Sequence, residues 1–437
     1  MQVDKITLQD IGLYDTDEHK GLASHLNFCK SNGGAEQLYS FLFSPLETLA
    51  QIVERQNAIQ SFIEHIEKVE ALTITNGTSL VIEKYFETGF KSIPPQISFP
   101  GTLWYQFWNK ADYSLIKYSV EHLVLFIQNM MEWVAVFEQE KNNTVIESLV
   151  LKIKKQLSHP ELIRLQNKQK ITHPQEILHL GYFFMYHFKN NTRTLLADYY
   201  TIDAFYSMAK AKSHYHFEFP EWIDASTPYL EVEEAKHPMV NNAVSNSLQL
   251  NPTHNFLFLT GANMAGKSTF IKTIGIVVYL SHLGMGAPAK KARLTVMDGL
   301  ISNLNIADNV VKGESYFYNE VQRIKNTVLK INDGKKNCVL IDELFKGTNI
   351  LDAMKCSIKV IEGLQKLRSS VFILSTHLYE ISEQLKPYNN IQFSYFETQI
   401  KNQELVFQYR LTPGVSQDRI GYLILEREGV VDLLAQL

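Results

Sequence analysis

The sequence predicts a chain of two parts, an all-helical first half followed by an α/β second half with a mostly parallel sheet (α + α/β). Its 437 residues are too many for one ordinary hydrophobic core, so two or three domains are expected. Apolar residues recur at helical spacing to about residue 212, whereas beyond residue 228 short apolar runs alternate with helical segments. We place the boundary in the linker around Phe219-Pro220, which gives domains 1–222 and 223–437.

In the first half, prolines separate the predicted helices. Pro45 divides a helix over 33–42 from one over 46–65, and Ser44 with Glu47 three residues later forms a helix-start signal. A connector containing three prolines covers 93–102. Helical spacing resumes over 115–157 and continues, with breaks near Pro160 and Pro174, to about Lys212.

In the second half, continuous apolar runs indicate strands buried on both faces of a sheet. These runs are Tyr229–Val232, Phe256–Thr260, Val339–Ile341 and Val371–Ser375, and a hairpin is predicted from Gln392–Thr398 and Glu404–Arg410.

Bulk properties indicate a soluble protein of a reducing compartment. The formal net charge of −4 does not favour nucleic-acid binding, although a local basic groove would be compatible with it. Three scattered cysteines exclude a disulfide framework. The N-terminus lacks a signal-peptide pattern, and the apolar stretch 122–137 is interrupted by Gln128, Asn129 and Glu132. We therefore expect a cytoplasmic protein without a membrane partner.

A phosphate-binding loop follows the predicted strand 256–260 and precedes a predicted helix from Thr269 to His282. Its residues are Gly261, Ala262, Asn263, Met264, Ala265, Gly266, Lys267 and Ser268, in the pattern G-x-x-x-x-G-K-[ST]. Strand, glycine-rich turn and helix together make this pattern specific for a nucleotide site. Loop amides and the helix N-terminus would hold the phosphates. Lys267 would reach the β- and γ-phosphates of ATP, and the Ser268 hydroxyl would ligate Mg²⁺.

Two adjacent carboxylates, Asp342 and Glu343, end the apolar strand 339–341. Open α/β sheets bind their ligands at this edge. Asp342 is suited to hold Mg²⁺ and Glu343 to orient and deprotonate the attacking water.

His377 ends the strand 371–375 in the sequence Ser375-Thr376-His377. It either senses the γ-phosphate and helps to hold the water, or caps the helix that follows. The stretch 313–317, Gly-Glu-Ser-Tyr-Phe, would on its own be only a loop.

These motifs together resemble one family, the MutS ATPases of DNA mismatch repair. The loop 260–269 is similar to the family's phosphate loop, including Asn263-Met264. The stretch 342–348 resembles its D-E-L-G-R-G-T motif, with Phe345 in place of Gly and Lys346 in place of Arg. Three short stretches also match: Lys236-His237-Pro238 resembles the family's R-H-P, Thr376-His377 its T-H, and 313–317 its G-x-S-T-F. The C-terminal segment near the family's dimer interface is matched by Tyr409-Arg410-Leu411 with Pro413, Gly414, Ser416, Gly421 and Gly429. In the first half, 34–63 resembles the family's helical core and 203–209 the end of its lever helices.

The resemblance implies a helical core/lever domain followed by a P-loop (ABC-type) ATPase domain that ends in a dimerisation segment. It also implies a composite ATP site in a dimer, where Ser315 reaches the partner's γ-phosphate in trans. Asn263 and Thr269 would stabilise the nucleotide next to the loop, and His237 would lie near the base. DNA, a second copy of the chain and other repair proteins are the implied partners. The sequence shows no mismatch-reading or connector domain of the family and too little chain for its clamp.

The missing DNA-reading parts leave a second function open. The chain would then be a nucleotide-gated interaction module that pairs with another protein, such as a full-length MutS, without recognising DNA itself. Lysine and arginine clusters are present at 152–155, 168–170 and 290–293, and we interpret them as solvated faces. Trp104, Tyr105, Phe107 and Trp108 either stack on bases or, as we favour, belong to a core or interface.

Overall fold

The computed structural model describes residues 1–15, 21–90, 93–94, 98–140, 143–168, 170–304, 316–401, 404–416 and 430–435. The chain divides into two compact units. The sheet unit comprises Met1–His25, Pro45–Ile52 and Tyr215–Leu437, and the helical unit comprises Leu26–Ser44 and Val53–His214.

Helices make up nearly all of the helical unit, as expected, and the sheet unit contains helices as well. In chain order the α-helices are α1 Lys5–Asp10, α2 Leu22–His25, α3 Asn32–Leu42, α4 Leu49–Glu64, α5 Ile66–Ala71, α6 Asn76–Glu87, α7 Phe99–Trp108, α8 Lys110–Phe137, α9 Thr144–Leu157, α10 Pro160–Ile163, α11 Pro174–Tyr182, α12 Lys189–His214, α13 Lys267–His282, α14 Tyr316–Ile331, α15 Ile350–Leu364, α16 Ser382–Leu385 and α17 Val430–Ala435. A π-helical turn, Phe183–His187, follows α11, and a 3₁₀ turn, Tyr379–Ile381, precedes α16.

The strands are confined to the sheet unit within the described residues. They are β1 Gln2–Val3, β2 Glu221–Trp222, β3 Leu230–Ala235, β4 Asn246–Leu250, β5 Phe256–Thr260, β6 Lys291–Leu294, β7 Gly299–Asn303, β8 Asn337–Asp342, β9 Ser370–Ser375, β10 Ile391–Lys401 and β11 Glu404–Pro413.

The main sheet has the order β1-β7-β8-β9-β5-β10-β11 over the described part of the chain, and its strand pairs are parallel except for the antiparallel β10–β11 hairpin. The mixed helix-and-sheet class and the mostly parallel sheet are thus confirmed. The central strands β5, β8 and β9 are buried along almost their whole length, which explains their uninterrupted apolar sequence. A smaller sheet, β2-β6-β3-β4, contains the predicted run 229–232 and the unpredicted β4.

The N-terminal residues belong to the sheet unit, although the predicted boundary at 222/223 grouped them with the helices. β1 pairs in parallel with β7 at the edge of the main sheet. The buried Asp10 carboxylate on α1 accepts hydrogen bonds from the Ser302 hydroxyl (2.6 Å) and the Leu304 amide (3.0 Å), and Arg323 lies 3.4 Å away. Helical periodicity is a local property of the sequence, so it does not reveal that residues 1–10 pair with residues about 300 positions later. The division into a helical domain 1–222 and an ATPase domain 223–437 stays a prediction.

In the helical unit, the buried Asp203 of α12 fixes the start of α3. Its carboxylate accepts hydrogen bonds from the amides of Lys30 and Ser31 (both 2.9 Å) and from the Ser31 hydroxyl (2.7 Å). A Cβ atom added to Gly34 would lie 2.1 Å from an Asp203 oxygen, so a glycine is required there. An acidic side chain at this helix N-terminus also complements the helix dipole.

The aromatic residues of α7 are divided between interior and surface. Tyr105 is buried, whereas Trp104, Phe107 and Trp108 are exposed, and α7 carries no charged side chain. The interpretation as core therefore holds for Tyr105 alone. Helix α8 is long and apolar enough to cross a membrane, but 56% of its most apolar 18-residue window is buried inside the protein, as in the core helix of a globular unit.

Candidate nucleotide-binding site

The predicted phosphate loop lies between β5 and α13, as the sequence indicates. Two glycines have backbone conformations that favour glycine: Gly261 has φ +138° and Gly266 has φ +105°. A Cβ atom on Gly261 would lie 3.1 Å from the Phe396 carbonyl oxygen. The N-terminus of the 16-residue helix α13 therefore opens directly onto the loop, where its free amides and dipole favour an anion.

Lys267 is folded back onto its own loop. Its ammonium donates hydrogen bonds to the carbonyl oxygens of Gly261 (2.7 Å) and Ala262 (3.0 Å), and the side chain is buried. Burial lowers the Lys267 pKa, while the nearby carboxylates of Glu343 and Asp342 act in the opposite direction. The two carbonyl oxygens hold the Lys267 ammonium beside the loop. A phosphate group bound there would replace the carbonyl oxygens as the partner of the ammonium.

Asp342, at the end of β8, lies next to the phosphate loop. Its carboxylate accepts hydrogen bonds from the Ser268 hydroxyl of α13 and from the Ser375 hydroxyl of β9. Asp342 and Ser375 lie opposite each other in the β8–β9 register, which fixes this contact. A hydroxyl oxygen and a carboxylate oxygen, both of the oxygen type that Mg²⁺ prefers as ligands, thus lie next to each other.

Glu343 is held between two basic side chains. One carboxylate oxygen lies 3.1 Å from the Lys346 ammonium and the other 3.7 Å from Nδ1 of His377. The neighbouring His377 ring and the charge of Lys346 lower the Glu343 pKa to about 2, against the opposing effect of burial. Thr376, rather than His377, provides the local side-chain cap, because its hydroxyl accepts the Leu378 amide at 3.0 Å. His377 is therefore free of that structural role and faces Glu343.

A cleft of about 540 Å³ lies beside the loop, a volume typical of small-ligand sites. Of the predicted residues, Ala262, Asn263, Met264, Gly266, Lys267, Ser268, Thr269, Glu343 and His237 line it. Burial, together with the Lys272 charge, lowers the His237 pKa to about 4. His237 is thus neutral at physiological pH and presents an uncharged ring to the cleft.

Two contributors to this region were missed by the sequence analysis or given another role. Tyr409, assigned to the dimerisation segment, lines the cleft next to Gly266 at a register shift between β10 and β11. Asn246 of β4 fixes it, donating to the Tyr409 carbonyl (3.0 Å) and accepting the Leu411 amide (2.7 Å). Glu320 of α14 is a buried carboxylate that binds the loop after Glu343. Glu320 lies in none of the motifs of the sequence analysis, and the motif that contains Tyr409 assigned it to dimerisation instead.

The predicted trans residue, Ser315, lies outside the described residues, as do Gly313, Gly421 and Gly429. Its role stays a prediction. Within the described part of the chain, no group of three or more His, Cys, Asp or Glu side chains could hold a metal by itself. A magnesium ion at Ser268 and Asp342 would therefore need oxygens from its nucleotide as well, which is the usual mode for this ion.

Comparison with known proteins identifies a matching family model and relatives that cover part of this chain. The family model described as MutS domain V matches residues 257–432. The DNA mismatch repair protein MutS of Pseudothermotoga lettingae is 28% identical over 240 residues, covering 54% of this chain and 29% of the relative. The protein of the same name from Carboxydothermus hydrogenoformans is 29% identical over 236 residues, covering 52% of this chain and 28% of the relative.

The matched region contains both the phosphate loop and the Asp342-Glu343 pair. The matches span less than a third of the length of these curated relatives. These matches show that residues 257–432 are similar to domain V of the MutS family.

Proposed function

We propose that the protein is a MutS-like ATPase that hydrolyses ATP with Mg²⁺ and couples hydrolysis to DNA in mismatch repair. The observation that carries the proposal is the convergence of Lys267, Ser268, Asp342 and Glu343 at the carboxyl ends of β5 and β8. A P-loop ATPase fold of the sheet unit accounts for this placement.

Each side chain has a role that its geometry supports. The loop amides and Lys267 bind the phosphates, and Lys267 exchanges its two carbonyl partners for phosphate oxygens. Ser268 and Asp342 would hold Mg²⁺, which supplies charge neutralisation for the phosphates when bound. Glu343 orients the attacking water. A pKa of about 2 keeps its carboxylate ionised, in the form that accepts a hydrogen bond from water.

The cleft also has the parts needed to receive a nucleoside. The exposed ring of Tyr409 and the neutral imidazole of His237 line the same space as the loop. Flat, uncharged aromatic rings of this kind can stack on a nucleotide base. We infer that the base enters between the β3–β4 connection and Tyr409, with its phosphates on the loop.

Dimerisation completes the proposed site. By resemblance to the family, Ser315 of one subunit contacts the γ-phosphate bound by the other, so that ATP favours the closed dimer. Cytoplasmic localisation belongs to the same proposal.

A second function, a nucleotide-gated protein-interaction module, is favoured by two observations. The exposed aromatic face of α7 is uncharged, so it offers no cationic partner for DNA phosphates. The predicted basic clusters are largely neutralised by ion pairs, namely Lys152–Asp198, Lys154–Glu138, Lys168–Glu176, Lys290–Glu234, Lys291–Glu221 and Arg293–Glu231.

Steady-state ATPase assays decide between the two functions. The purified protein is measured alone and with homoduplex, mismatched, branched and single-stranded DNA at low salt. Stimulation by one class of DNA supports the repair ATPase. Turnover that no DNA changes, together with unchanged fluorescence anisotropy of labelled DNA, favours the protein-interaction module. Absence of any turnover, with Lys267→Ala as the blank, contradicts the ATPase itself.

A further inference from the structure

The buried carboxylate of Glu320 lies outside every nucleotide motif, yet it contacts the loop that follows Glu343. Glu320 is 2% exposed and belongs to α14. One carboxylate oxygen accepts the Lys346 amide at 2.9 Å, and the other accepts the Gly347 amide at 3.0 Å. A carboxylate is removed from water only at a high cost unless such hydrogen bonds are made, so this contact fixes the loop backbone strongly.

The loop that Glu320 holds is strained. Glu343 and Phe345 both have φ of 58°, in the left-handed region that non-glycine residues rarely adopt. Such conformations are unfavourable for a residue with a Cβ atom and persist only where the surroundings enforce them. A Cβ atom on Gly347 would lie 2.7 Å from the Phe317 nitrogen, so the loop passes closely against the start of α14.

The same contact places a charge next to the proposed base. Glu320 fixes the backbone of Lys346, and the Lys346 ammonium lies 3.1 Å from the Glu343 carboxylate. Burial acts to lower the Lys346 pKa, but the Glu343 carboxylate beside it raises that pKa overall. Displacing the 346–347 backbone would therefore move the ion pair as well.

We propose that Glu320 is a positioning residue for hydrolysis, which holds loop 343–347 so that Lys346 fixes the Glu343 carboxylate. The proposal rests on the proposed ATPase function and deepens it. Glu320 does not line the nucleotide cleft, so it would act on hydrolysis and leave nucleotide binding unchanged.

The test compares Glu320→Gln with Glu362→Gln, the same change at a partly buried carboxylate that accepts a hydrogen bond from Tyr388. In Glu320→Gln, an amide NH₂ faces a backbone N–H and one hydrogen bond is lost. We expect single-turnover ATP hydrolysis to fall by roughly 10–100-fold, as misplacement of catalytic groups usually does. The Kd for ATP with Mg²⁺ should stay within about twofold of wild type. Glu362→Gln should match wild type in both measurements.

Two further readouts separate positioning from a general loss of structure. In a Glu343→Gln background, Glu320→Gln should cause no additional loss of hydrolysis, because both act through one group. Carboxyl NMR titration without nucleotide should show a higher Glu343 pKa in Glu320→Gln, since its cationic support is weakened. The acid limb of the pH–rate profile should move to higher pH for the same reason.

Wild-type hydrolysis in a folded Glu320→Gln protein would overturn the proposal, as would losses that multiply with Glu343→Gln. Should Glu320→Gln fail to fold, Glu320→Asp replaces it, because this variant keeps the charge and only shortens the side chain. NMR titration of Glu343 in Glu320→Asp then gives the same test. Inactivity of the wild-type protein would instead contradict the proposed function. The Glu343 titration would still decide whether Glu320 controls that carboxylate.

Discussion

At the scale of single residues, Glu343 is the side chain on which hydrolysis should depend. Glu343→Gln removes the ionised oxygen but keeps its size, so ATP should still bind while hydrolysis slows by roughly 10²–10⁴-fold. Rapid-quench measurement of single turnovers checks this, with the exposed Glu383→Gln as the control. Unchanged turnover would remove Glu343 from the role proposed for it.

His282 makes the stability of the sheet unit sensitive to mild acid. The ring is fully buried: Nδ1 lies 2.8 Å from the Val278 carbonyl oxygen, and Nε2 accepts the Met297 amide at 2.8 Å. Burial lowers its pKa to about 4, so the unfolded state binds a proton first as the pH falls below about 6.5. Stability is complete above pH 6.5 and should fall by about 3 kcal/mol on reaching pH 4.

Thermal melting between pH 7.5 and 4.5 tests this, because the titration of most carboxylates lies lower. His282→Gln keeps one donor and one acceptor but cannot titrate, so its melting temperature should depend less on pH than that of wild type. An equally steep dependence in the variant would show that other groups cause it.

At the scale of elements, the close contact of α3 and α12 should be intolerant of one methyl group. Gly34→Ala would drive a Cβ atom against the Asp203 carboxylate and should destabilise the helical unit by about 1–3 kcal/mol. Gly77→Ala is the matched control, since it also lies in a helix of the same unit and its nearest atom is 3.6 Å away. Calorimetry should show a lower transition for Gly34→Ala alone, and equal transitions would contradict the contact.

The elements differ in how far the sequence could predict them. The buried strands β5, β8 and β9 were recognisable because their apolar runs are continuous, and each ends at a motif residue. The strands β1, β2, β4, β6 and β7 were not identified. β1 and β2 have only two residues each, and β4 and β6 alternate in burial. Their pairing depends on partners far away in the chain, which local periodicity does not contain.

The site shows the same limit. Lys267, Ser268, Asp342 and Glu343 were predicted because their motifs have fixed spacing after a strand. Glu320 and Tyr409 reach the site from a helix and a strand register shift, and single acidic or aromatic residues in such elements carry no pattern of their own. Their contribution follows only from the three-dimensional contacts.

At the scale of the whole molecule, the composite-site proposal makes hydrolysis depend on protein concentration. Turnover per chain should rise as dimers form, whereas Ser315→Ala should leave ATP binding by isolated subunits intact and lower turnover at high concentration. Sedimentation and ATPase rates over the same dilution series check this. A rate per chain that is independent of concentration, in a protein that sediments as a monomer, would contradict the trans arrangement.

The distribution of the four tryptophans makes intrinsic fluorescence a probe of one unit. Trp104, Trp108 and Trp133 lie in the helical unit, the first two exposed and the third buried, whereas Trp222 alone belongs to the sheet unit, where it lies edge-on to His282. Intrinsic fluorescence therefore reports mainly on the unit that carries no part of the nucleotide cleft. A change in accessibility to a soluble quencher on adding ATP would reveal communication between the two halves without any attached dye.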